Sequence, residues 1–158
     1  MQRNQHDVIL YLSRHQRALL VTVLDSVVPA NGNISGAGGL GVAEYVEGFA
    51  GLIPSTRSLL SKGLKAVDAT SARIYSLSFI DLPDGDKVDV LKQVESENAA
   101  FFDFIVQWTY AGYYTHPSVV RTNALPQLPP QPEGFEMGEF DTSLLENVRK
   151  RGKVYRDA

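Results

Sequence analysis

The fold is decided by residues 101–114, which read FFDFIVQWTYAGYY. This stretch holds seven of the chain's 15 aromatic residues and a single charged residue. At 100° per residue, one face of a helix collects the large apolar side chains and Gly112, while Tyr110, Tyr113 and Tyr114 fall on the other side. A helix that is aromatic on both sides is either central to its domain or covered by another molecule. For the tyrosine side, both interpretations stay open.

Helical spacing of apolar residues continues outward from this stretch through most of the chain. It predicts a first helix within residues 1–28, begun by Asp7 and ended by Pro29. Four further segments follow before residue 117: a glycine-rich loop with a helix at 42–52, a helix at 56–75, a turn at 81–86, and a long helix from 87 to about 114. No alternating strand pattern of useful length is present. We therefore predict an all-α fold, a compact bundle of about four or five helices with an extended Pro-rich C-terminal arm.

The composition changes after Pro117. Four of the eight prolines lie within residues 126–132, which favours an extended, stiff segment over a packed helix. An acidic stretch follows, and then a short helix is predicted from Ser143 to the basic residues that end at Arg151. The predicted domains are a helical domain of residues 1–117 and an arm of residues 118–158, packed on the domain or on a partner.

Charge and composition limit the classes of function. The net charge of −3, from 15 Lys and Arg against 18 Asp and Glu, does not favour a nucleic-acid partner. Because there is no cysteine, disulfides, thiolate metal sites and a thiol nucleophile are excluded. No apolar run approaches the roughly 20 residues that cross a bilayer, and the first ten residues do not form an export signal. The expected location is cytoplasmic as given, or periplasmic if a signal was removed or a partner supplies one.

Three short motifs formally indicate site chemistry, and each has a better structural interpretation. Residues 36–41, GAGGLG, match G-x-G-x-x-G, but no strand leads into them, so we expect a flexible turn between helices. The aspartates between 81 and 89 lack the closing glutamate of a calcium loop, and Asp84 or Asp86 capping the long helix explains them. The histidines form no metal-ligand pair and accompany no nucleophile elbow. The sequence therefore predicts no catalytic, cofactor-binding or metal-binding residues in this chain.

Longer motifs give the chain a resemblance to a known family. Residues 101–117 resemble the signature of the gluconate 2-dehydrogenase subunit 3 (small subunit) family. The segments DSVVP at 25–29, Gly-Ala at 36–37 and GVAEYV at 41–46 are similar to that family's first helix, glycine turn and second helix. The resemblance covers roughly residues 12–117.

The resemblance implies a non-catalytic accessory subunit of an FAD-dependent dehydrogenase of the glucose–methanol–choline class, which oxidises a sugar, sugar acid or polyol. In such complexes the FAD and the catalytic base belong to the large subunit, and a cytochrome c subunit often accepts the electrons. The small subunit assists assembly, maturation and export of its partner, so FAD is expected in the partner and no cofactor in this chain. The alternative is a free-standing cytoplasmic helical protein that binds another partner or forms homo-oligomers without redox chemistry.

The residues expected to contact a partner come from the aromatic stretch and the basic C-terminal run. Tyrosine and tryptophan are enriched among the anchors of protein interfaces. The arm has little to bury alone and would suit wrapping a partner. The predicted contact residues are Trp108, Tyr110, Tyr113, Tyr114, His116, Pro117, Arg149 and Arg151.

Overall fold

A computed structural model describes residues 10–122 and 141–152, and their regular structure is helical apart from one isolated β-bridge, Asn31 to Ile34. The α-helices are α1 (Arg14–Val27), α2 (Val42–Gly51), α3 (Pro54–Tyr75), α4 (Asp84–Glu97), α5 (Ala99–Thr115), α6 (Pro117–Thr122) and α7 (Glu146–Lys150), with 3-10 turns at Phe79–Asp81 and Thr142–Leu145. The predicted all-α class is confirmed. Among the described residues, no helix is both long and apolar enough to cross a bilayer.

The chain divides into two units, Met1–Pro126 and Gln127–Ala158. The described part of the first unit contains α1 to α6, and α6 buries Val119. In the second unit, Asp141 accepts a hydrogen bond from the Ser143 N–H at 2.9 Å and caps the 3-10 turn that leads into α7. The short helix predicted near Ser143 is therefore present. Most of the predicted Pro-rich arm, including 123–140, lies outside the described residues, and the domain boundary at 117 stays a prediction.

The start of α1 is set by a capping box at Ser13. The Ser13 hydroxyl accepts the Gln16 N–H at 3.2 Å, and the Gln16 side chain accepts the Ser13 N–H at 3.1 Å. Such reciprocal bonds satisfy two N–H groups that a first helical turn leaves unpaired. The predicted helix is therefore wrong for residues 10–12, which precede the cap, while Asp7 lies outside the described residues.

The long helix predicted from residue 87 is wrong, because the chain breaks at Asn98 into α4 and α5. Asn98 has non-helical φ and ψ of −145° and 62°, and its side chain accepts the Phe101 N–H at 3.4 Å. Its own N–H still donates to the Val94 carbonyl at 2.7 Å, so one residue ends α4 and begins α5. Asparagine is among the residues preferred at such caps.

Asp84 and Asp86 do not cap α4, contrary to the prediction. Pro83 is the residue at the cap position, and Asp84 and Asp86 both lie in the first turn. Carboxylates are still favourable there, because the helix dipole places partial positive charge at the N-terminus.

Helix α5 lies in the core, which is one of the two alternatives that its composition left open. Two glycines allow its neighbours to approach closely. A Cβ at Gly63 of α3 would overlap the Phe101 ring, and a Cβ at Gly112 of α5 would come within 2.6 Å of Val42 and 2.8 Å of Tyr45 on α2. These contacts fix the position of α5 against both α2 and α3. The buried residues of α5 are Phe101, Phe104, Ile105, Thr109, Gly112 and Tyr113.

Candidate protein-interaction surface

An exposed apolar stripe runs along α2 and reaches the start of α3. Tyr45, Phe49 and Leu52 follow i, i+4, i+7 spacing and therefore share one face of the helix. Tyr45 is 45% exposed, Leu52 is 75% exposed, and the adjoining Ile53 is 51% exposed. Isolated exposed apolar residues are ordinary on protein surfaces, but a contiguous group marks an interaction site.

Trp108 of α5 completes this surface. Its indole stacks on the Phe49 ring with centroids 3.3 Å apart, and the Tyr45 ring lies 6.2 Å from it. The Phe104 ring of the same helix lies 6.3 Å from the indole, measured between ring centroids. Because Trp108 is held by rings from two helices, it has little freedom to lose when a partner binds. We call Tyr45, Phe49, Leu52, Ile53 and Trp108 the α2–α5 patch.

The tyrosines of α5 separate into two exposed rings and one buried ring. Tyr110 and Tyr114 are 45% and 57% exposed, with ring centroids 6.0 Å apart. Tyr113 is only 6% exposed, so for this tyrosine the structure favours the core interpretation that the sequence left open. The physical reason is its i+4 spacing from Thr109, which is also buried. Tyr110 lies 200° around the helix from Trp108, so these two rings belong to different surfaces.

The remaining predicted contact residues are spread over both units. His116 is half-buried, and its Nδ1 accepts the Ser118 N–H at 3.3 Å at the start of α6. Pro117 is exposed as the first residue of α6, a position that suits proline because its missing N–H would be unpaired there anyway. Arg149 and Arg151 are exposed in the second unit. The roles of these residues in partner binding stay predictions.

The outer face of α3 is basic. Arg57, Lys62 and Lys65 are all exposed, and at 100° per residue they spread over about 140° of the solvent-facing side of α3. The Arg57 guanidinium lies 4.4 Å from the centre of the Tyr11 ring. Lys62 and Lys65 have no carboxylate partner within residues 10–122 and 141–152. The α3 basic face, Arg57 with Lys62 and Lys65, therefore carries positive charge that the described part of the chain does not neutralise.

A fully buried carboxylate, that of Glu47, lies on the inner side of α2. Its Oε1 accepts the backbone N–H groups of Tyr11 and Leu12 at 2.6 Å each, and its Oε2 accepts the Arg17 side chain at 3.0 Å. Buried charged groups often mark reactive sites. Here donors from the chain itself surround the carboxylate, so its hydrogen bonds hold the segment before α1 to the core. We call this set of hydrogen bonds the clasp.

Tyr11 is held between this clasp and α3. Burial raises the pKa of its phenol to about 12, with a further contribution from the Glu47 charge that Arg57 partly opposes. The phenol oxygen is buried without a hydrogen-bond partner among the described residues. Removing water from an unpaired phenol disfavours its ionised form, which explains the direction of the shift.

Asp68 of α3 joins α1 to the 3-10 turn before α4. The His15 Nε2 lies 2.9 Å from Asp68 Oδ2, while the Ser78 hydroxyl and the Phe79 N–H donate to Oδ1 at 2.9 and 3.2 Å. Burial alone would raise the pKa of Asp68, but these hydrogen bonds outweigh it and hold that pKa below its usual range. This cluster links three elements and serves the fold.

The glycine turn binds a carboxylate of its own chain. The N–H groups of Gly38 and Gly39 donate to Asp25 Oδ1 at 2.8 and 3.2 Å, and a Cβ at Gly36 or Gly38 would overlap the Asp25 carboxylate. In a dinucleotide site such N–H groups would face a pyrophosphate. The predicted turn between two helices is present, and its hydrogen bonds to Asp25 hold it against α1.

An open cavity of about 650 Å³ lies beside the glycine turn, between α1 and the first turn of α4. Its charged lining groups are already engaged, because Asp25 binds the turn and Lys87 Nζ pairs with Asp84 at 3.2 Å. Across the described ranges, no three His, Asp or Glu side chains lie together as a metal would need. The α2–α5 patch is therefore the most prominent candidate site.

Sequence reasoning identified only one member of this patch, Trp108. The missed signal lies in α2, where Val42, Val46 and Ala50 form a buried stripe while Tyr45 and Phe49 form a second apolar stripe outside it. A helix that is apolar on both sides needs a cover on both sides. The criterion that makes α5 a candidate contact helix therefore holds for α2 as well.

Comparison with known proteins identifies a family. The family model described as gluconate 2-dehydrogenase subunit 3 matches residues 14–128. No curated protein and no solved structure was found to match the chain. The matched range includes α1 to α6, and it therefore contains both the α2–α5 patch and the exposed tyrosine pair.

Proposed function

We propose that this chain, which belongs to the gluconate 2-dehydrogenase subunit 3 family, is a non-catalytic accessory subunit that binds a large FAD-dependent dehydrogenase subunit and assists its assembly or maturation. Membership supports the coarser statement, that the chain is a subunit of a dehydrogenase complex. The finer statement rests on the surface that the helices present.

The α2–α5 patch is the observation that carries the proposal. Its members come from α2, α5 and the link between α2 and α3, and three of them expose about half or more of their surface. Interface cores are depleted of charge and enriched in aromatic residues, which is the composition of this patch. A chain that leaves such a surface uncovered is suited to association with another protein.

The redox chemistry is assigned to the partner in this proposal. The large subunit would bind FAD and oxidise a sugar, sugar acid or polyol, and a cytochrome c subunit would accept the electrons. The carboxylates most closely held in this chain support a structural role, because Glu47, Asp25 and Asp68 each bind groups of the chain itself. What this chain contributes is then a surface and the rigid bundle behind it.

Affinity capture of the tagged chain from its native cells, with cross-linking before lysis, tests the proposal. The expected result is a large co-purifying polypeptide whose eluate shows flavin absorbance, with a tag-only strain as the control. Cross-linking prevents a weak complex from dissociating unnoticed. Capture of the chain alone, or as a homo-oligomer, would refute the accessory role and favour a free-standing helical protein.

A second experiment tests assistance as distinct from binding. The large subunit is expressed with and without this chain, and its yield and FAD content are measured. We expect the flavin-loaded fraction to rise in the presence of the chain. Equal loading in both samples would leave a bound subunit that plays no part in maturation.

A further inference from the structure

We propose that the α2–α5 patch together with the α3 basic face is the surface that binds the large subunit. The partner segment seated there presents apolar side chains at its centre and carboxylates along the edge that faces α3. This inference rests on the proposed function and adds the location and the chemistry of the contact.

The neighbouring side chains favour the patch over the pair of exposed tyrosines, Tyr110 and Tyr114, as the contact site. Asp103 and Gln107 stand two helical turns before Tyr110 and Tyr114 on the same exposed face of α5, so polar groups interrupt that surface. The patch has five apolar members from two helices and the start of a third. A continuous apolar centre is what excludes water from an interface.

The patch is also rigid before a partner arrives. Phe49 and Trp108 are stacked at 3.3 Å, and the close approach at Gly112 fixes α5 against α2. Anchors that are held in place lose little conformational freedom on binding, so more of their burial appears as affinity. The exposed Leu52 and Ile53 extend this fixed centre toward α3.

The positive charge of the α3 basic face indicates how the partner is oriented on the patch. The α3 basic face begins one helical turn beyond Ile53, where the Arg57 N–H donates to the Ile53 carbonyl at 3.0 Å. Lys62 and Lys65 follow without carboxylate partners among the described residues, although the whole chain carries a net charge of −3. Opposite charges across an interface accelerate encounter and fix orientation. An acidic edge on the partner is the complement of this face.

The experiment compares double variants of the full chain in the same capture of the large subunit. Leu52→Ser with Ile53→Ser is expected to weaken affinity by about tenfold or more, because it removes the exposed centre of the patch. Tyr110→Ser with Tyr114→Ser is the matched control and is expected to bind like the wild type. All four residues are exposed, and circular dichroism melting of each variant verifies that the fold is retained.

A second pair of variants tests the acidic edge. Lys62→Glu with Lys65→Glu is expected to slow association several-fold and to reduce its dependence on salt. Arg14→Glu with Lys92→Glu changes the net charge equally on exposed residues of α1 and α4, and is expected to have a smaller effect.

The outcomes separate this inference from the proposed function. If the wild type captures the large subunit and the Leu52 and Ile53 variant captures it equally well, the location is wrong while the accessory role stands. Loss in the tyrosine variant alone would assign the contact to that pair instead. Equal effects of the two charge-reversing variants would refute the proposed acidic edge on the partner. A wild type that pairs only with a second copy, by light scattering, would overturn both proposals.

Discussion

Replacing Gly63 by alanine is expected to destabilise the bundle, although alanine is the better helix former. Gly63 lies in the buried side of α3, and a Cβ there would overlap three atoms of the Phe101 ring. The overlap involves the ring carbon nearest the backbone, so a rotation of a flexible side-chain end does not relieve it. Phe101 is fully buried in the first turn of α5.

The magnitude follows from two opposing effects. Alanine in a helix interior is favoured over glycine by about 1 kcal/mol. Inserting a methyl group into a filled core typically costs about 1–3 kcal/mol and occasionally more. Because the overlap is with the stiff part of a buried ring, the cost lies at the upper end of that range. We expect the free energy of unfolding to fall by about 2 kcal/mol at Gly63→Ala.

Urea unfolding measures this change through two signals, helix content by circular dichroism and the fluorescence of Trp108, the chain's one tryptophan. Coincident transitions would establish two-state behaviour, and a lower midpoint with an unchanged slope would report lost stability. Gly85→Ala on α4 is the matched control, because apart from its chain neighbours and its own helix backbone no atom lies within 4 Å of the added Cβ. Adding Phe101→Leu to Gly63→Ala is expected to cost less than the two separate losses combined. A Gly63→Ala variant as stable as the wild type would refute the close contact of α3 with α5.

Three further predictions concern the buried and titratable groups. Glu47→Gln weakens the clasp on the segment before α1, since hydrogen bonds to a charged group are replaced by neutral ones, and is expected to lower the free energy of unfolding in urea by about 2–4 kcal/mol. An unchanged urea midpoint would contradict the clasp. Because the pKa of Asp68 is lowered in the folded state, its stabilising contribution is complete above its ordinary value and is lost as the pH falls through the lowered one. Urea midpoints measured across that acidic range should therefore fall less steeply in Asp68→Asn than in the wild type. The raised pKa of Tyr11 acts in the opposite direction, so its contribution to stability declines as the pH rises from about 10 toward about 12. Spectrophotometric titration of Tyr11→Phe should therefore lack a phenol that ionises near 12. If the phenol missing from the variant is instead one that ionises at lower pH, the burial of Tyr11 is contradicted.

The fold class could be predicted because the apolar residues repeat with a helical period, but the same signal conceals breaks in the backbone. Val94 and Phe101 are both buried and stand seven residues apart, so the apolar stripe stays in phase across Asn98 while the helix does not. Leu12 likewise continues the phase of Leu19 and is buried. It is held by the Glu47 carboxylate and precedes the helix. Periodicity reports which residues face the core, and it does not report which peptide groups lie in a helix.

The α2–α5 patch could not be oriented from the sequence, because one of the two glutamates of α2 faces the core. A glutamate on an apolar helix ordinarily marks the side that faces water. Glu44 follows that rule and is exposed, whereas Glu47 is fully buried because it accepts hydrogen bonds from Tyr11, Leu12 and Arg17. With that acid turned inward, the face through Tyr45 and Leu52 is left without charge. An internal clasp and an uncharged outer surface are thus two results of one arrangement, and a helix built in this way suits a chain that works against a partner.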